Sequence, residues 1–419
     1  MSDSADPIRI VHFADLHIGM ENYGRMDAET GLNGRVADFL DRLDQIVAHA
    51  IEHDADLVLF AGDAFRTRSP STTHQREFAQ RIRTLSDAGL PVVILVGNHD
   101  VPVMSQRASS VEIFGTLGVP HVTVADAPAV HRVTTKRGDV QVLTMPYPVR
   151  QRLLSREQFR RMTQDELDRA VTEVLVETLN SLATSLDADC PAVLLGHFSV
   201  DGAHWGAERS IMVGRDVALP VSALIDPRWQ YVALGHIHQH QDLNPEGAPP
   251  VVYAGSVERV DFGEERQPKG FCWVELSVEG ASWRYIRLPA RRFLTVRVDV
   301  READDPLARI EQQITQHELE GAVVRLVVQM TPEQEPGIRD ADLTPLLAGA
   351  FYAQINREVD RTARDRLEGL EPDAMTPVHL LRRYLLAKGR SEEALAPYVE
   401  AAEALFAAEE EQDPELEGG

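Results

Sequence analysis

The first 290 residues alternate short apolar runs with longer stretches in which apolar residues recur at helical spacing. Short apolar runs are typical of buried strands, and the longer spacing is typical of amphipathic helices. The pattern predicts helices at 32–53, 71–85, 109–117 and 157–186, and strands at 8–14, 57–61, 92–96, 122–124, 130–134, 140–145, 192–195, 231–234, 251–253, 271–278 and 282–288. Together these elements predict an α/β fold in which a two-sheet sandwich is flanked by helices.

The pattern changes after the segment Pro289–Arg292, which reads as a junction. A small α/β domain is predicted beyond it, followed by two C-terminal helices and an acidic tail that we expect to be disordered. Its strands are predicted at 293–300, 322–329 and 351–356, its helices at 306–317 and 343–349, and the C-terminal helices at 377–386 and 392–408. We therefore predict three domains, at residues 1–290, 291–356 and 357–419.

Composition narrows the class of protein. The formal net charge of −24 excludes the broad basic surface of a protein that binds nucleic acid tightly on its own. Cys190 and Cys272 are the only cysteines, so we expect buried thiols in a reducing compartment. The sequence shows neither a signal peptide nor an apolar run near the roughly 20 residues that span a bilayer. The expected location is the cytoplasm, without membrane contact.

Five short polar phrases follow predicted strands directly. They are Asp15–His17, Gly62-Asp63, Gly97–Asp100, Gly196-His197 and Gly235–His238. Functional groups in α/β sheets gather at the carboxyl ends of strands, and we expect the glycines to allow tight turns there. Alone, each phrase fits an ordinary turn or a hydrogen-bonded loop histidine. Together, carboxylate, amide and imidazole donors without thiolates predict two adjacent ions such as Mn²⁺, Fe²⁺ or Zn²⁺.

These phrases, in this order, resemble the motifs of the calcineurin-like metallophosphoesterases. Further residues narrow the resemblance to the SbcD family of bacterial nuclease subunits. They are Ala14–Gly19, Tyr231–His238, Tyr253–Ser256, Phe262–Glu264 and Lys269-Gly270. The resemblance covers about residues 8–290 well and continues more loosely beyond them.

The resemblance implies a role for each polar residue. Asp15, His17 and His238 would hold one metal ion, and Asn98, His197 and His236 a second, with manganese the expected metal. Asp63 would bridge the two ions, and an activated hydroxide would attack the phosphorus.

Two further residues are expected to be catalytic. His99 would stabilise or protonate the leaving 3′ oxygen. Asp100 would orient His99, or would serve only as a capping or turn residue.

One position departs from the family. Many archaeal and eukaryotic relatives have a second histidine three residues after the bridging aspartate, where this chain has Arg66. Arg66 or Arg68 would contact DNA phosphate, or both would be solvated loop residues. Trp205 would stack on a base or pack in its loop. The arginines from Arg150 to Arg161 would track DNA or form a solvated helix face.

The resemblance also implies the biological setting. The chain would be a metal-dependent DNA nuclease, acting as a 3′–5′ double-strand exonuclease and a single-strand endonuclease in an ATP-regulated double-strand-break complex. Its partners would be DNA, an SbcC-type coiled-coil ATPase held by the C-terminal helices, and a second copy within a heterotetramer. Residues 291–356 would cap the site and steer DNA. One alternative is a phosphodiesterase for nucleotides or other small phosphodiesters, and another is a non-catalytic scaffold.

Overall fold

The computed structural model of the chain describes residues 6–101, 108–153, 162–206 and 217–360, together with 378, 381, 382, 385, 386, 395 and 397–402. Residues 1–329 and 337–358 group as one compact unit, and residues 330–336 and 359–419 as another. The acidic tail, most of the predicted C-terminal helices and most of the basic stretch from Arg150 to Arg161 lie outside the described residues. The predicted boundary at residue 290 falls inside the first unit and stays a prediction.

A first mixed sheet forms half of the sandwich. Its strands are β1 (Ile8–Phe13), β2 (Leu57–Phe60), β3 (Val92–Leu95), β4 (Val122–Ala125), β13 (Gly270–Ser277) and β14 (Gly280–Arg287). They are ordered β14-β13-β1-β2-β3-β4. β1 runs parallel to β2, with Val11 opposite Val58, and antiparallel to β13, with Ile10 opposite Val274.

A second mixed sheet forms the other half. Its strands are β5 (Ala129–Thr135), β6 (Gly138–Met145), β7 (Ala192–His197), β10 (Tyr231–Gly235), β11 (Gln241–Asp242) and β12 (Val251–Tyr253), ordered β11-β12-β10-β7-β6-β5. A separate pair, β8 (Ser199–Val200) and β9 (Ala218–Leu219), lies beyond β7 in the chain. Tyr231 and Ala233 of β10 lie opposite Val193 and Leu195 of β7, so these two strands end together.

The strand alternation divides the core into layers. Ile10 of β1 packs between the two sheets. Its neighbour Val11 is on the other side of the first sheet, where it packs in the layer formed with the helices. Helices α1 (Gly34–Glu52) and α2 (Thr72–Asp87) cover the first sheet, and α5 (Gln164–Ala183) covers the second. Two shorter helices are α3 (Glu112–Thr116) and α4 (Arg150–Leu153). The predicted two-sheet α/β sandwich is confirmed, and both cysteines are buried free thiols.

A third sheet follows the sandwich in sequence. Its strands, in spatial order, are β15 (Phe293–Asp299), β16 (Val323–Met330) and β17 (Tyr352–Val359), accompanied by helices α6 (Pro306–Ile314) and α7 (Asp340–Leu343). The helix predicted at 343–349 is wrong. The chain forms α7 and then a separate 3-10 turn at Pro345–Leu347. Proline has no N–H to continue the helix, which explains the break. None of the described helices combines the length and the apolar character that a bilayer crossing requires.

Candidate metal centre

The five polar phrases meet at one edge of the sandwich. Three follow β1, β2 and β3 of the first sheet, and two end or follow β7 and β10 of the second. Donor atoms of Asp15, His17 and His238 lie within 4.8 Å of one another, as do donors of Asp15, Asp63 and His197. Both sheets therefore contribute to a single cluster.

The backbone of the cluster is strained at four positions. Asp15, His17, Asp63 and His236 have φ angles of 53°, 43°, 60° and 96°. Side chains other than glycine rarely occupy this region, and each such residue costs about 1–3 kcal/mol. Paired loops hold the strained residues in place, since the Asp15 amide donates to the Gly62 carbonyl at 3.0 Å and the His17 amide to that of Asp63 at 3.1 Å. Strain retained at four predicted ligands is typical of a functional site.

The glycines of the cluster serve two purposes. Gly62 has a φ of 94°, as expected for a tight turn. Gly97 does not have a positive φ, and its role is instead to allow close approach. A Cβ on Gly97 would lie 2.2 Å from Asp63 Oδ1, so any larger residue would displace that carboxylate.

The first group of donors comprises Asp15, His17 and His238. The two imidazoles face each other, with His17 Nε2 and His238 Nε2 2.9 Å apart. Burial, together with the neighbouring His238, lowers the pKa of His17 well below its ordinary value. The pKa of Asp15 is raised by burial, against the pull of His238 and His197. His17 is therefore a neutral imidazole, which is the form that binds metal ions.

The second group comprises Asn98, His197 and His236. Asn98 Oδ1 lies 3.0 Å from His197 Nε2 and 2.9 Å from His236 Nδ1, so all three side chains converge on one point. The other ring nitrogen of His197 lies 2.6 Å from the carbonyl oxygen of Ala61. That contact leaves Nε2 directed into the cluster.

Asp63 lies between the two groups. Its Oδ2 is 3.5 Å from His197 Nε2 and 3.8 Å from His17 Nε2, and its Oδ1 accepts a hydrogen bond from the His99 amide at 2.8 Å. Burial alone would raise its pKa, but His197, His99 and His17 hold the pKa of Asp63 well below its ordinary value. The Asp63 carboxylate therefore contacts histidines of both groups.

The charge of the cluster fits bound divalent cations. Within the described part of the chain, neither Asp15 nor Asp63 pairs with a lysine or an arginine. Burial would lower the pKa of His197, but the carboxylates of Asp63 and Asp15 raise it to about 9. His17 Nδ1 is buried and has no hydrogen-bond partner among the described residues. A buried cluster that attracts positive charge, with oxygen and imidazole donors, suits divalent metal ions.

The contacts of His99 and Asp100 differ from the expectation that one orients the other. The His99 ring is held at Nδ1 by the carbonyl oxygen of Arg66, at 2.8 Å. The buried Asp100 carboxylate instead accepts hydrogen bonds from the Asp63 amide at 2.9 Å and the Gly97 amide at 3.0 Å. Asp100 therefore connects the loop of Asp63 to the loop of Gly97. This arrangement agrees with the alternative in which Asp100 is a turn residue.

Other candidates lie at the margin of the cluster. The ring of Trp205 is 5.8 Å from that of His236. The Arg66 guanidinium has no hydrogen-bond or ion-pair partner among the residues that the structure describes, and it acts electrostatically on His17. The ring of His240 is stacked on that of Tyr285, with ring centroids 3.8 Å apart.

The sequence alone predicts no role for Glu264 and Lys269. In the structure, Glu264 Oε1 lies 2.7 Å from His238 Nδ1, and Glu264 Oε2 lies 2.7 Å from Lys269 Nζ. Both residues are fully buried. The only signal in the sequence was their presence among the residues that carry the family resemblance.

Comparison with known proteins identifies the class. A model of the calcineurin-like phosphoesterase family matches residues 8–240, which is more than half of the chain. The chain therefore belongs to the calcineurin-like phosphoesterase family. Enzymes of this family hydrolyse phosphoesters with divalent metal ions, and the cluster described above could hold such ions.

Curated relatives refine the comparison. The DNA double-strand break repair protein Mre11 of Haloferax volcanii is 28% identical over 358 residues, covering 84% of this chain and 68% of that protein. The SbcD component of the SbcCD nuclease of Bacillus subtilis is 27% identical over 290 residues, covering 67% of this chain and 70% of its own. The corresponding protein of Escherichia coli K12 is 27% identical over 264 residues, covering 61% and 62%.

Proposed function

We propose that the chain is the nuclease subunit of an ATP-regulated complex that processes DNA double-strand breaks. It would act as a 3′–5′ exonuclease on duplex DNA and as an endonuclease on single strands. The names of its relatives in three organisms support the nuclease and repair assignments. The observation that carries the proposal is the carboxylate of Asp63 between two converging groups of nitrogen and oxygen donors.

Each donor group would hold one metal ion. Asp15, His17 and His238 would hold the first, Asn98, His197 and His236 the second, and Asp63 would bind both. We propose Mn²⁺ as the metal. Two bound ions lower the pKa of water and neutralise charge on the phosphoryl oxygens.

His99 would act on the leaving group. Its Nδ1 contacts the Arg66 carbonyl, so Nδ1 carries a proton and Nε2 is available to the substrate. Protonated at Nε2, His99 would donate a proton to the departing 3′ oxygen. Asp100 would support this role indirectly, because it fixes the two loops that carry Asp63 and His99.

Cleavage of labelled DNA tests the proposal. The purified chain would be incubated with a labelled duplex or single strand in Mn²⁺, Mg²⁺ or EDTA, beside an Asp63→Asn variant. We expect manganese-dependent cutting that disappears in EDTA and in the variant. Hydrolysis of bis(p-nitrophenyl) phosphate without cutting of either DNA, both alone and with the ATPase partner and ATP, would reject the nuclease and favour an enzyme of small phosphodiesters.

A homodimer would form through the segment after Asp100. Ile113 and Leu117 are apolar residues four apart around α3, and their side chains are 52% and 71% exposed. A pair of this kind favours burial against another copy. We expect Leu117→Glu to convert a dimer to a monomer in size-exclusion chromatography with light scattering. The matched change at Val278, which is 49% exposed in the turn between β13 and β14, should leave the dimer intact.

The C-terminal helices would bind a coiled-coil ATPase of the SbcC type, and residues 291–356 would guide DNA to the metal centre. Leu386 and Tyr398 are exposed apolar residues within this C-terminal part. We expect co-purification of the full chain with such an ATPase to be lost in a Leu386→Glu/Tyr398→Glu double variant. Retained co-purification would place the ATPase contact elsewhere.

A further inference from the structure

We propose that Glu264 and Lys269 are positioning residues that hold His238 in the orientation required to bind a metal ion. The inference rests on the proposed function, because it takes His238 as a metal ligand. It assigns a task to two residues of the segment between β12 and β13 that lie outside the donor groups themselves.

The contact to His238 occurs at the correct nitrogen. His238 Nε2 faces the cluster, 2.9 Å from His17 Nε2, and the opposite nitrogen Nδ1 lies 2.7 Å from Glu264 Oε1. A proton on Nδ1 donated to the carboxylate leaves the lone pair on Nε2 free for a metal ion. A carboxylate partner also makes the imidazole a stronger ligand.

Lys269 completes the arrangement. Its ammonium contacts Glu264 Oε2 at 2.7 Å, the Ser256 hydroxyl at 2.7 Å and the main-chain carbonyl of His238 at 3.2 Å. Lys269 therefore holds His238 twice, through Glu264 at the side chain and directly at the backbone. The amide of Val260 adds a further hydrogen bond to Glu264 Oε2, at 2.9 Å.

Burial makes Glu264 and Lys269 depend on each other. The side chains of Lys269 and Glu264 are 0% and 1% exposed, so neither can replace its partner with water. Removal of one member leaves the other as an uncompensated buried charge. Without Lys269 the carboxylate of Glu264 would lose the ammonium that fixes its position beside His238. The two residues are therefore expected to act as one unit on metal affinity.

Isothermal titration calorimetry tests the inference. Mn²⁺ is titrated into the metal-free full-length protein, and its affinity is measured for each variant. We expect Glu264→Gln, which keeps the shape and removes the charge, to weaken Mn²⁺ binding at the site of His238 about 10- to 100-fold. Lys269→Met should do the same from the other end. The double variant should be no weaker than either single variant, because both remove one interaction.

Glu258→Gln is the matched control. Glu258 lies in the same segment, is fully buried, and faces the arginine Arg35 at 3.7 Å and the amide of Arg291 at 2.9 Å. It contacts none of the proposed ligands among the described residues. We expect Glu258→Gln to lower the unfolding temperature in EDTA while Mn²⁺ binds as in the wild type.

The outcomes separate the two proposals. Wild-type affinity in Glu264→Gln and Lys269→Met would overturn the positioning role, and so would an equal loss of affinity in Glu258→Gln. Failure of the wild-type chain itself to bind Mn²⁺ would instead reject the metal site of the proposed function. Should Glu264→Gln not fold, Lys269→Met and the double variant carry the same comparison.

Discussion

The two proposed metal-binding groups differ in what lies around them. The first group contains the carboxylate of Asp15, and its ligand His238 is backed by the buried pair Glu264–Lys269. The second group contains the neutral amide of Asn98, and the Nδ1 of its histidine His197 contacts the neutral carbonyl of Ala61. Anionic partners strengthen histidine ligands, so we expect the first group to bind its metal ion more tightly than the second.

The two groups also differ in the residues beside them that could contact the substrate. The guanidinium of Arg66 acts electrostatically on His17 in the first group, whereas the ring of Trp205 lies beside His236 in the second. A charged group attracts phosphate, and an aromatic ring stacks on bases. The two halves of the site would therefore contact different parts of a DNA strand.

The largest effect is expected at His99, which belongs to neither group. His99→Gln should lower kcat for DNA cleavage about 10²- to 10⁴-fold, because proton donation to the leaving group is lost. Bound Mn²⁺, measured by atomic emission on the same preparation, should stay at the wild-type level. Loss of metal together with activity would show that His99 is itself a metal ligand. His99 would then have to be added to one of the two metal-binding groups.

The difference in metal affinity is tested by Asn98→Ala. Removal of the amide oxygen takes away the point on which His197 and His236 converge. We expect one Mn²⁺ per chain to remain bound with near wild-type affinity, and the weaker site to lose about tenfold or more in affinity. Calorimetry that shows equal weakening of both sites would mean that the two groups are not independent.

The aromatic half is tested at Trp205. Stacking on a base contributes about 1–3 kcal/mol, so Trp205→Ala should raise KM for a single strand about tenfold. Trp205→Phe keeps an aromatic face and should recover most of that loss. Hydrolysis of bis(p-nitrophenyl) phosphate, which has no base, serves as the reference reaction. An equal loss on both substrates would assign Trp205 to packing around His236.

A smaller effect is expected at Arg66. Arg66→Ala should raise KM for DNA a few-fold and reduce by about 1 the slope of log affinity against log salt concentration. Fluorescence anisotropy of a labelled strand at several salt concentrations measures the slope. Arg284→Ala, an exposed arginine stacked near Trp273 on the outer edge of the first sheet, is the control. An unchanged slope in Arg66→Ala would leave Arg66 as a solvated loop residue.

The parts of this picture that the sequence predicted are local. Apolar runs followed by Asp15, Asp63 or His197 mark strand ends, and parallel strands bring such ends together. Contacts between distant residues were not predictable in this way. Glu264 and Lys269 are 26 and 31 residues from His238 in the chain, and no periodic pattern connects them to it. The role of Asp100 likewise depends on which loop its carboxylate enters, which spacing does not encode.

The smallest effect concerns His12, a buried histidine that lies outside both groups. It is enclosed between the sheets, near the hydroxyl of Tyr231 at 3.1 Å and the carbonyl of Leu234 at 3.2 Å. Burial lowers the pKa of His12 to about 3, from an ordinary value of 6.5. Below pH 6.5, His12 is therefore protonated in the unfolded chain but not in the folded chain. The free energy of unfolding consequently falls as the pH falls.

His12→Gln removes this titration and keeps a polar side chain. Between pH 7.5 and pH 5.5 the wild type should lose about 1.4 kcal/mol more unfolding free energy than the variant, since each pH unit below 6.5 contributes up to that amount. Urea unfolding at both pH values in EDTA measures the difference. The other titratable residues, including the proposed metal ligands, are the same in both proteins, so their contributions cancel. Equal losses would mean that His12 is protonated in the folded state. His12 would then resemble His197, and burial alone would no longer distinguish a structural histidine from a ligand in this fold.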